Sequence, residues 1–257
     1  MPHVSLVMIV RDEAAALPKC LGSVADLVGE IVVVDTGSVD RTRAVASQFG
    51  ARVIDFTWID DFSAARNESL KHATGDWIFW LDADEWLALR DRENLQHLFA
   101  NLPDELVGYS MRQVSPTRFI WNGTPAAFGE QNVGQLRLFR NDPRIRWEGR
   151  VFEQVRPSLR RAGGEVRVAD VKIQHGGYED GAAMLRRIER NLRLIRLQLA
   201  DTPDDPYTQA HLGDLLCATG RPDEAIPVLR GCRDRLPAGS ASQQNVSNIL
   251  QRLGVVG

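Results

Sequence analysis

At 257 residues, with 44% hydrophobic and 25% charged side chains, the chain is long enough for one or two domains with a sizeable core and lacks the composition of a disordered polymer. Its net charge of −3 gives no general electrostatic reason to bind nucleic acid, and its three scattered cysteines (Cys20, Cys217, Cys232), with no C-x-x-C spacing, exclude a disulfide framework, a zinc ribbon and a thioredoxin-type site. Met1-Pro2-His3 leads into an apolar run with no basic leader, and no run approaches the ~20 apolar residues of a membrane span. The expectation is a soluble cytoplasmic protein with reduced thiols.

The first eighty residues alternate regularly. "VSLVMIV" (4–10) is a continuous Val- and Ile-rich run, the pattern of a strand covered on both faces. A helix is predicted from Pro18, carrying Leu21, Val24 and Ala25. "EIVVVD" (30–35) is a second strand, followed by the helix "RTRAVASQF", which Gly50 closes. "RVIDF" (52–56) is a third strand, "DFSAARNESLKHAT" (61–74) a third helix and "WIFWL" (77–81) a fourth strand. Strand–helix alternation at this spacing predicts β-α-β units and a mostly parallel sheet with helices on both faces.

From about residue 104 the helices drop out. "LVGYSMRQV", "VGQLRLFR", "RVFEQV" and "EVRVADVKIQH" read as strands of a mixed extension. From Asp180 the pattern is helical, with Leu185, Ile188, Leu192, Ile195 and Leu199 forming one apolar stripe. Arg186, Arg187, Arg190, Arg193 and Arg196 surround the stripe, which leaves peripheral contact with an anionic membrane open beside ordinary packing. After the linker "DTPDDP" (201–206), Leu212, Gly213, Gly220, Ala225, Ile226 and Pro237 fall where a tetratricopeptide repeat places its small and turn residues. One repeat (about 206–237) and a further helix, "SQQNVSNILQRL", are predicted. They form a helical appendage over 180–257 that offers a surface for a protein partner, beside an α/β domain over 1–179.

Chemistry collects at the strand ends. "VMIV" runs into Arg11-Asp12-Glu13, "VVVD" ends on Asp35, and "WIFWL" runs into Asp82-Ala83-Asp84-Glu85. In open α/β sheets, ligands bind beyond the carboxyl ends of the strands. In extended backbone, Asp82 and Asp84 would point to one side, where mutual repulsion calls for a cation. A hard ion such as Mg²⁺ or Mn²⁺, shared with substrate phosphates, meets that need. A solvated turn whose acids cap the next helix is the bland alternative. No glycine follows the first strand in "VRDEAAAL", so neither a dinucleotide fingerprint nor a P-loop is present. A nucleotidyltransferase is disfavoured for the same reason.

Taken together, "SLVMIVRDEAAALPKCLGSV", "EIVVVDTGSVDRTRAVA" and "DFSAARNESLKHATGDWIFWLDADE" resemble the catalytic domain of glycosyltransferase family 2, which has the GT-A fold. "RLFRNDPRIRWEGRVFEQV" and "IQHGGYED" are similar to its second half, in the branch that carries tetratricopeptide repeats. The resemblance implies an inverting, metal-dependent transferase that takes a nucleotide-diphospho-sugar, a UDP-sugar first among them, to a hydroxyl on a glycan, lipid-linked or peptide acceptor. It implies Glu13 and Asp35 against the nucleoside, Arg66 near the base or phosphates, and Asp40 and Thr42 shaping that loop. It also implies Asp82 and Asp84 as the D-x-D that holds Mn²⁺ or Mg²⁺, with Asp84 the nearest ligand and His175 a further one. Relatives tend to carry His-Glu where this chain has Phe152-Glu153, so Glu153 is the candidate general base, with Glu148 and Asp142 as rivals. Trp86, Trp121 and Trp147 are candidates for a sugar platform, with core packing as the plainer use of each. A non-catalytic binding module built on a decayed transferase domain is the alternative from another class.

Overall fold

The computed structural model describes residues 3–121, 124–176 and 181–255, and the side chains of 116–121, 124–131 and 181–183 lie outside that description. The chain divides into two compact units, residues 1–116 with 130–177, and residues 178–257 with 117–129.

The first unit is built on β1 (Val4–Val10), β2 (Glu30–Asp35), β3 (Arg52–Asp55) and β4 (Trp77–Trp80). β1 lies between β2 and β4, and β3 flanks β2, all parallel. The continuous apolar run of β1 serves both faces of the sheet. Leu6 and Met8 pack with Trp77 and Phe79 on one side, while Val7 packs with Val32, Ile78 and Trp80 on the other. Helices α1 (Leu17–Gly22) and α2 (Thr42–Gln48) contribute Leu17, Leu21 and Ala46 to the first of these clusters. Helix α3 (Phe62–His72) starts where Asp61 caps it, Oδ1 accepting from the Ala64 amide at 2.9 Å.

The sheet continues through β5 (Glu85–Leu87), β6 (Val107–Trp121), β7 (Thr124–Arg140) and β8 (Glu165–His175), with α4 (Leu89–Ala100) and α5 (Arg156–Arg161) between them. Its order is β3-β2-β1-β4-β7-β6-β8-β5. β7 runs antiparallel to β4 and β5 antiparallel to β8, while β6 and β8 pair parallel, so the extension is mixed as expected. Three features depart from the sequence expectation. Strand β5 and helix α4 follow the acidic stretch directly, and α5 interrupts the later β region. "RVFEQV" is not a strand: it forms a loop pinched by paired backbone hydrogen bonds between Glu148 and Gln154. Gly149 (φ 96°) and Phe152 (φ 54°) turn its backbone out of extended geometry, which defeats the apolar alternation.

The second unit contains α6 (Gly181–Asp201), α7 (Pro206–Ala218), α8 (Pro222–Arg233) and α9 (Ala241–Arg252). Ile188, Leu192, Leu216, Ala225, Leu229, Val246 and Ile249 form its core. α7 and α8 pair so closely that a Cβ on Gly213 would stand 2.3 Å from Leu229 Cδ2, which explains the small residue there. Along α6, Ile188, Leu192 and Ile195 are buried, while Leu185, placed at the head of the predicted stripe, is 53% exposed. Packing therefore occupies most of that stripe. No helix among the described residues is long and apolar enough to cross a membrane.

Candidate active site

The carboxyl ends of β1, β2 and β4 meet at one edge because the three strands are parallel and in register, Val10 opposite Asp35 and Val7 opposite Trp80. Asp35 sits at the end of β2, buried. Its Oδ1 accepts from the amides of Gly37 (3.0 Å) and Ser38 (2.9 Å), in a turn that Gly37 permits with φ 105°. Its Oδ2 is buried and, among the described residues, has no hydrogen-bond partner. An acceptor held that way awaits a donor from outside the protein.

The loops after β1 and β2 are laced together. The Glu13 amide donates to Thr42 Oγ1 (2.7 Å), the Ala14 amide to Asp40 Oδ2 (3.1 Å) and the Val39 amide to Asp12 Oδ1 (2.8 Å). Asp40 and Thr42 thus shape this rim from within. Glu13 is carried up to it, and burial together with the charges of Asp84, Asp82, Asp40 and Asp12 pushes its pKa up to about 7.

Asp82 and Asp84 do not lie in extended backbone. The Glu85 amide donates to the Asp82 carbonyl (3.1 Å), closing a turn before β5. The turn exists because β5 folds back onto β8, with Glu85 opposite His175. The same pairing brings His175 Nε2 to 3.1 Å from Asp84 Oδ2. Burial disfavours a charged His175 ring, but the Asp84 carboxylate, with Glu85 and Asp82 beyond it, outweighs burial and holds its pKa above the ordinary value. Desolvation likewise works to raise the Asp82 pKa, but Arg66, then Arg137, hold it below the usual range.

Arg66, on α3, is the hub. Its Nη2 donates to Asp82 Oδ1 at 2.9 Å and its Nε to Glu153 Oε1 at 2.6 Å. Its guanidinium lies over the rings of Trp80 (4.4 Å) and Trp147 (4.8 Å), so both aromatics serve to seat a cation. Burial raises the Glu153 pKa, and Arg66 only partly opposes it. The neighbouring Phe152 holds φ at 54°, a conformation that a bulky side chain rarely adopts.

The remaining candidate acids have local partners of their own. Glu148 binds Arg161 and Asp142 forks onto Arg144, so each is a local ion-pair partner. Trp147 is buried, Trp86 lies under the Lys19 ammonium 3.0 Å from its ring centre, and Trp121 falls outside the described side chains. Sequence reasoning missed Arg137 and gave Glu85 no role, yet the two form a fully buried ion pair beneath the turn. The signal was an arginine at an inward position of the otherwise apolar "LRLF".

The donor set fits a hard divalent cation. Asp82 and Asp84 each place one carboxylate oxygen on a protein nitrogen, Arg66 Nη2 and His175 Nε2 respectively. No three His, Cys, Asp or Glu side chains among the described residues form a ready cage. A Mg²⁺ or Mn²⁺ ion that completes its shell with phosphate oxygens and water suits such an incomplete donor set.

A mostly parallel sheet with helices on both faces, a mixed extension and acids along its carboxyl edge defines a GT-A-type α/β domain. Residues 5–155 match the family model Glycosyl transferase family 2, and the chain belongs to that family. It is 40% identical over 228 residues to a TPR repeat-containing protein of Synechococcus elongatus, covering 86% of this chain and 54% of that one. It is 28% identical over 238 residues to the SPbeta prophage-derived glycosyltransferase SunS of Bacillus subtilis, covering 89% and 53%. The chain thus spans about half the length of the curated relatives it matches. In fold it is similar to residues 1–349 of S. aureus TarS in complex with UDP-GlcNAc, with a TM-score of 0.51 at 14% identity, covering 99% of this chain and 84% of that one.

Proposed function

We propose that the chain transfers a sugar from a nucleotide-diphospho-sugar to an acceptor hydroxyl in one displacement with inversion. The carrying observation is the excess of carboxylate at one sheet edge: burial first, and then the charges of Asp84, Asp82, Asp40 and Asp12, raise Glu13 to a pKa of about 7, and a divalent ion with its bound diphosphate would relieve the second of these. Asp82 and Asp84 are the residues to hold Mn²⁺ or Mg²⁺, with His175 positioning Asp84 and serving as a further ligand only where its ring is neutral. Bound there, the ion would neutralise the charge that grows on the departing diphosphate. Asp35 Oδ2, buried and without a hydrogen-bond partner among the described residues, is the proposed acceptor for a nucleoside N–H, with Glu13 as the second nucleoside contact.

Glu153 is the proposed base. Arg66 occupies its Oε1, which leaves Oε2 for the acceptor proton, and burial keeps its proton affinity above that of a surface glutamate. As the acceptor O–H proton passes to Glu153, the acceptor oxygen bonds to the anomeric carbon from the face opposite the phosphate. The bond from that carbon to the phosphate oxygen breaks, and the nucleoside diphosphate leaves with the electron pair. Three buried free thiols accord with work in a reducing compartment, the cytoplasm.

UDP-GlcNAc, the ligand of the TarS complex, is the first donor to try. The test is Mn²⁺-dependent release of UDP from UDP-sugars by the wild type, compared with Asp84→Asn. Release that is independent of Mn²⁺, or equal in the variant, overturns the reading.

A further inference from the structure

Beneath the Asp82–Asp84 turn lies a charge pair that none of the proposed chemistry uses. The Glu85 carboxylate is fully buried and accepts four hydrogen bonds. Arg137 Nη1 donates to Oε2 and Nη2 to Oε1, both at 2.6 Å, Gln113 Nε2 donates to Oε1 at 2.6 Å, and the Asp82 backbone amide donates to Oε2 at 2.8 Å. Arg137 is equally buried and stacks on Trp80 at 3.8 Å, the ring that also seats Arg66. A buried ion pair carries a large desolvation cost and is weak evidence of stabilisation. Its geometry is more telling: one of its four hydrogen bonds goes to the backbone of the first aspartate of the turn.

We infer that Glu85 and Arg137 are positioning residues that fix the Asp82 amide and, through it, the angle at which the D-x-D turn presents its carboxylates to a metal-bound diphosphate. This rests on the proposed reading of the site. Arg137 and Gln113 come from β7 and β6, two interior strands, so the carboxylate is clamped by the sheet. The turn inherits that rigidity through one N–H. Without the acceptor, the Asp82 amide would face a buried wall without a partner, and the turn would shift to satisfy it. The charge on Glu85 is secondary; the oxygen at the position of Oε2 is what the turn needs.

Two double variants separate positioning from stability. Glu85→Gln/Arg137→Met removes both charges but keeps a side-chain oxygen for the Asp82 amide, whereas Glu85→Leu/Arg137→Met removes both charges and the acceptor. Replacing a buried pair with neutral or apolar groups of similar volume is often tolerated, so both are expected to melt near the wild type. Calorimetric titration of the full chain with UDP in the presence of Mn²⁺ is expected to show the Gln variant within about threefold of wild type and the Leu variant about 10–100-fold weaker, the usual range for losing an outer-shell partner. Equal binding by the two variants overturns the inference. Independently of any variant, NMR exchange of the metal-free wild type should find the Asp82 amide strongly protected, and rapid exchange there overturns it as well. A wild type that shows this protection but does not bind Mn²⁺ with UDP overturns the reading of the site instead.

Discussion

Removing Arg66 tests the centre of the site most directly. Its side chain is 9% exposed and that of Glu153 11%, so Arg66→Met leaves Glu153 as an uncompensated buried carboxylate. Asp82 is 38% exposed, so water replaces much of its lost partner, and that half of the interaction is worth at most about 1 kcal/mol. Stranding one member of a buried pair costs roughly 3–5 kcal/mol. Together these give a loss of about 4 kcal/mol near pH 8, or about 8–16 °C in the melting of the α/β unit. The loss must depend on pH. Burial already raises Glu153 above the ordinary value, and without Arg66 it rises further, so the folded chain holds a proton that the unfolded chain releases. The deficit is therefore smallest below the ordinary glutamate pKa of about 4.3 and grows with pH until the raised folded value is passed. Urea melts of wild type and variant at pH 4.5, 6 and 8 measure it. A deficit under about 1 kcal/mol, or one equal at all three pH values, refutes the assignment of Glu153 as the stranded charge.

Asp84→Asn should leave the melting temperature within a few degrees, since its partly exposed side chain gives up a single ion pair, yet lower Mn²⁺-dependent turnover by at least about 100-fold. The same variant should lower the His175 pKa, read by NMR titration, because burial disfavours the charged ring and would then be met by less negative charge. Glu13, at a pKa of about 7, competes as a proton site with an incoming cation, so Mn²⁺ affinity should rise as pH passes from 6 to 8 and Glu13→Gln should flatten that rise in a calorimetric series. Gly213→Ala places a Cβ 2.3 Å from Leu229, and should destabilise the helical unit by about 1–3 kcal/mol, with at most about 1 kcal/mol returned by helix propensity, as followed by circular dichroism.

The parallel half of the fold was legible because its signals are local. The unbroken run of β1 required cover on both faces, and Leu6 and Val7 found it on opposite sides. The helix expected over 61–74 forms as Phe62–His72, with Asp61 as its cap. What was not legible depends on distant partners. Asp82 and Asp84 turn instead of extending because β5 returns to β8, and nothing within "LDADEW" encodes a strand ninety residues further on. "RVFEQV" carries strand-like alternation, but the left-handed Phe152 breaks it and leaves Glu153 directed at Arg66. The sequence named the acids of the site together with Arg66 and His175; only topology revealed which acid each of them meets, and that Arg137 lies beneath the turn.

Those cations explain how so acidic a rim folds at all. Asp82 and Glu153 share Arg66, Asp84 has His175, and Glu85 has Arg137, while Glu13 has no protein cation among its raised-pKa causes. Asp12 and Asp40 add further negative charge around Glu13, so carboxylates outnumber the protein cations along this rim. Had the chain supplied every counter-charge itself, a cation would have gained little on entering. Had it supplied none, the turn would repel itself apart in the absence of metal. On the proposed reading, the partial balance lets the fold stand alone and still leaves an electrostatic place for an ion that arrives with its own phosphate ligands. Arg66 belongs to both sides of that balance: because it touches Asp82 and Glu153 at once, any shift of Asp82 toward a metal must also change the charge felt by the proposed base, so that donor binding and base strength are coupled through a single guanidinium.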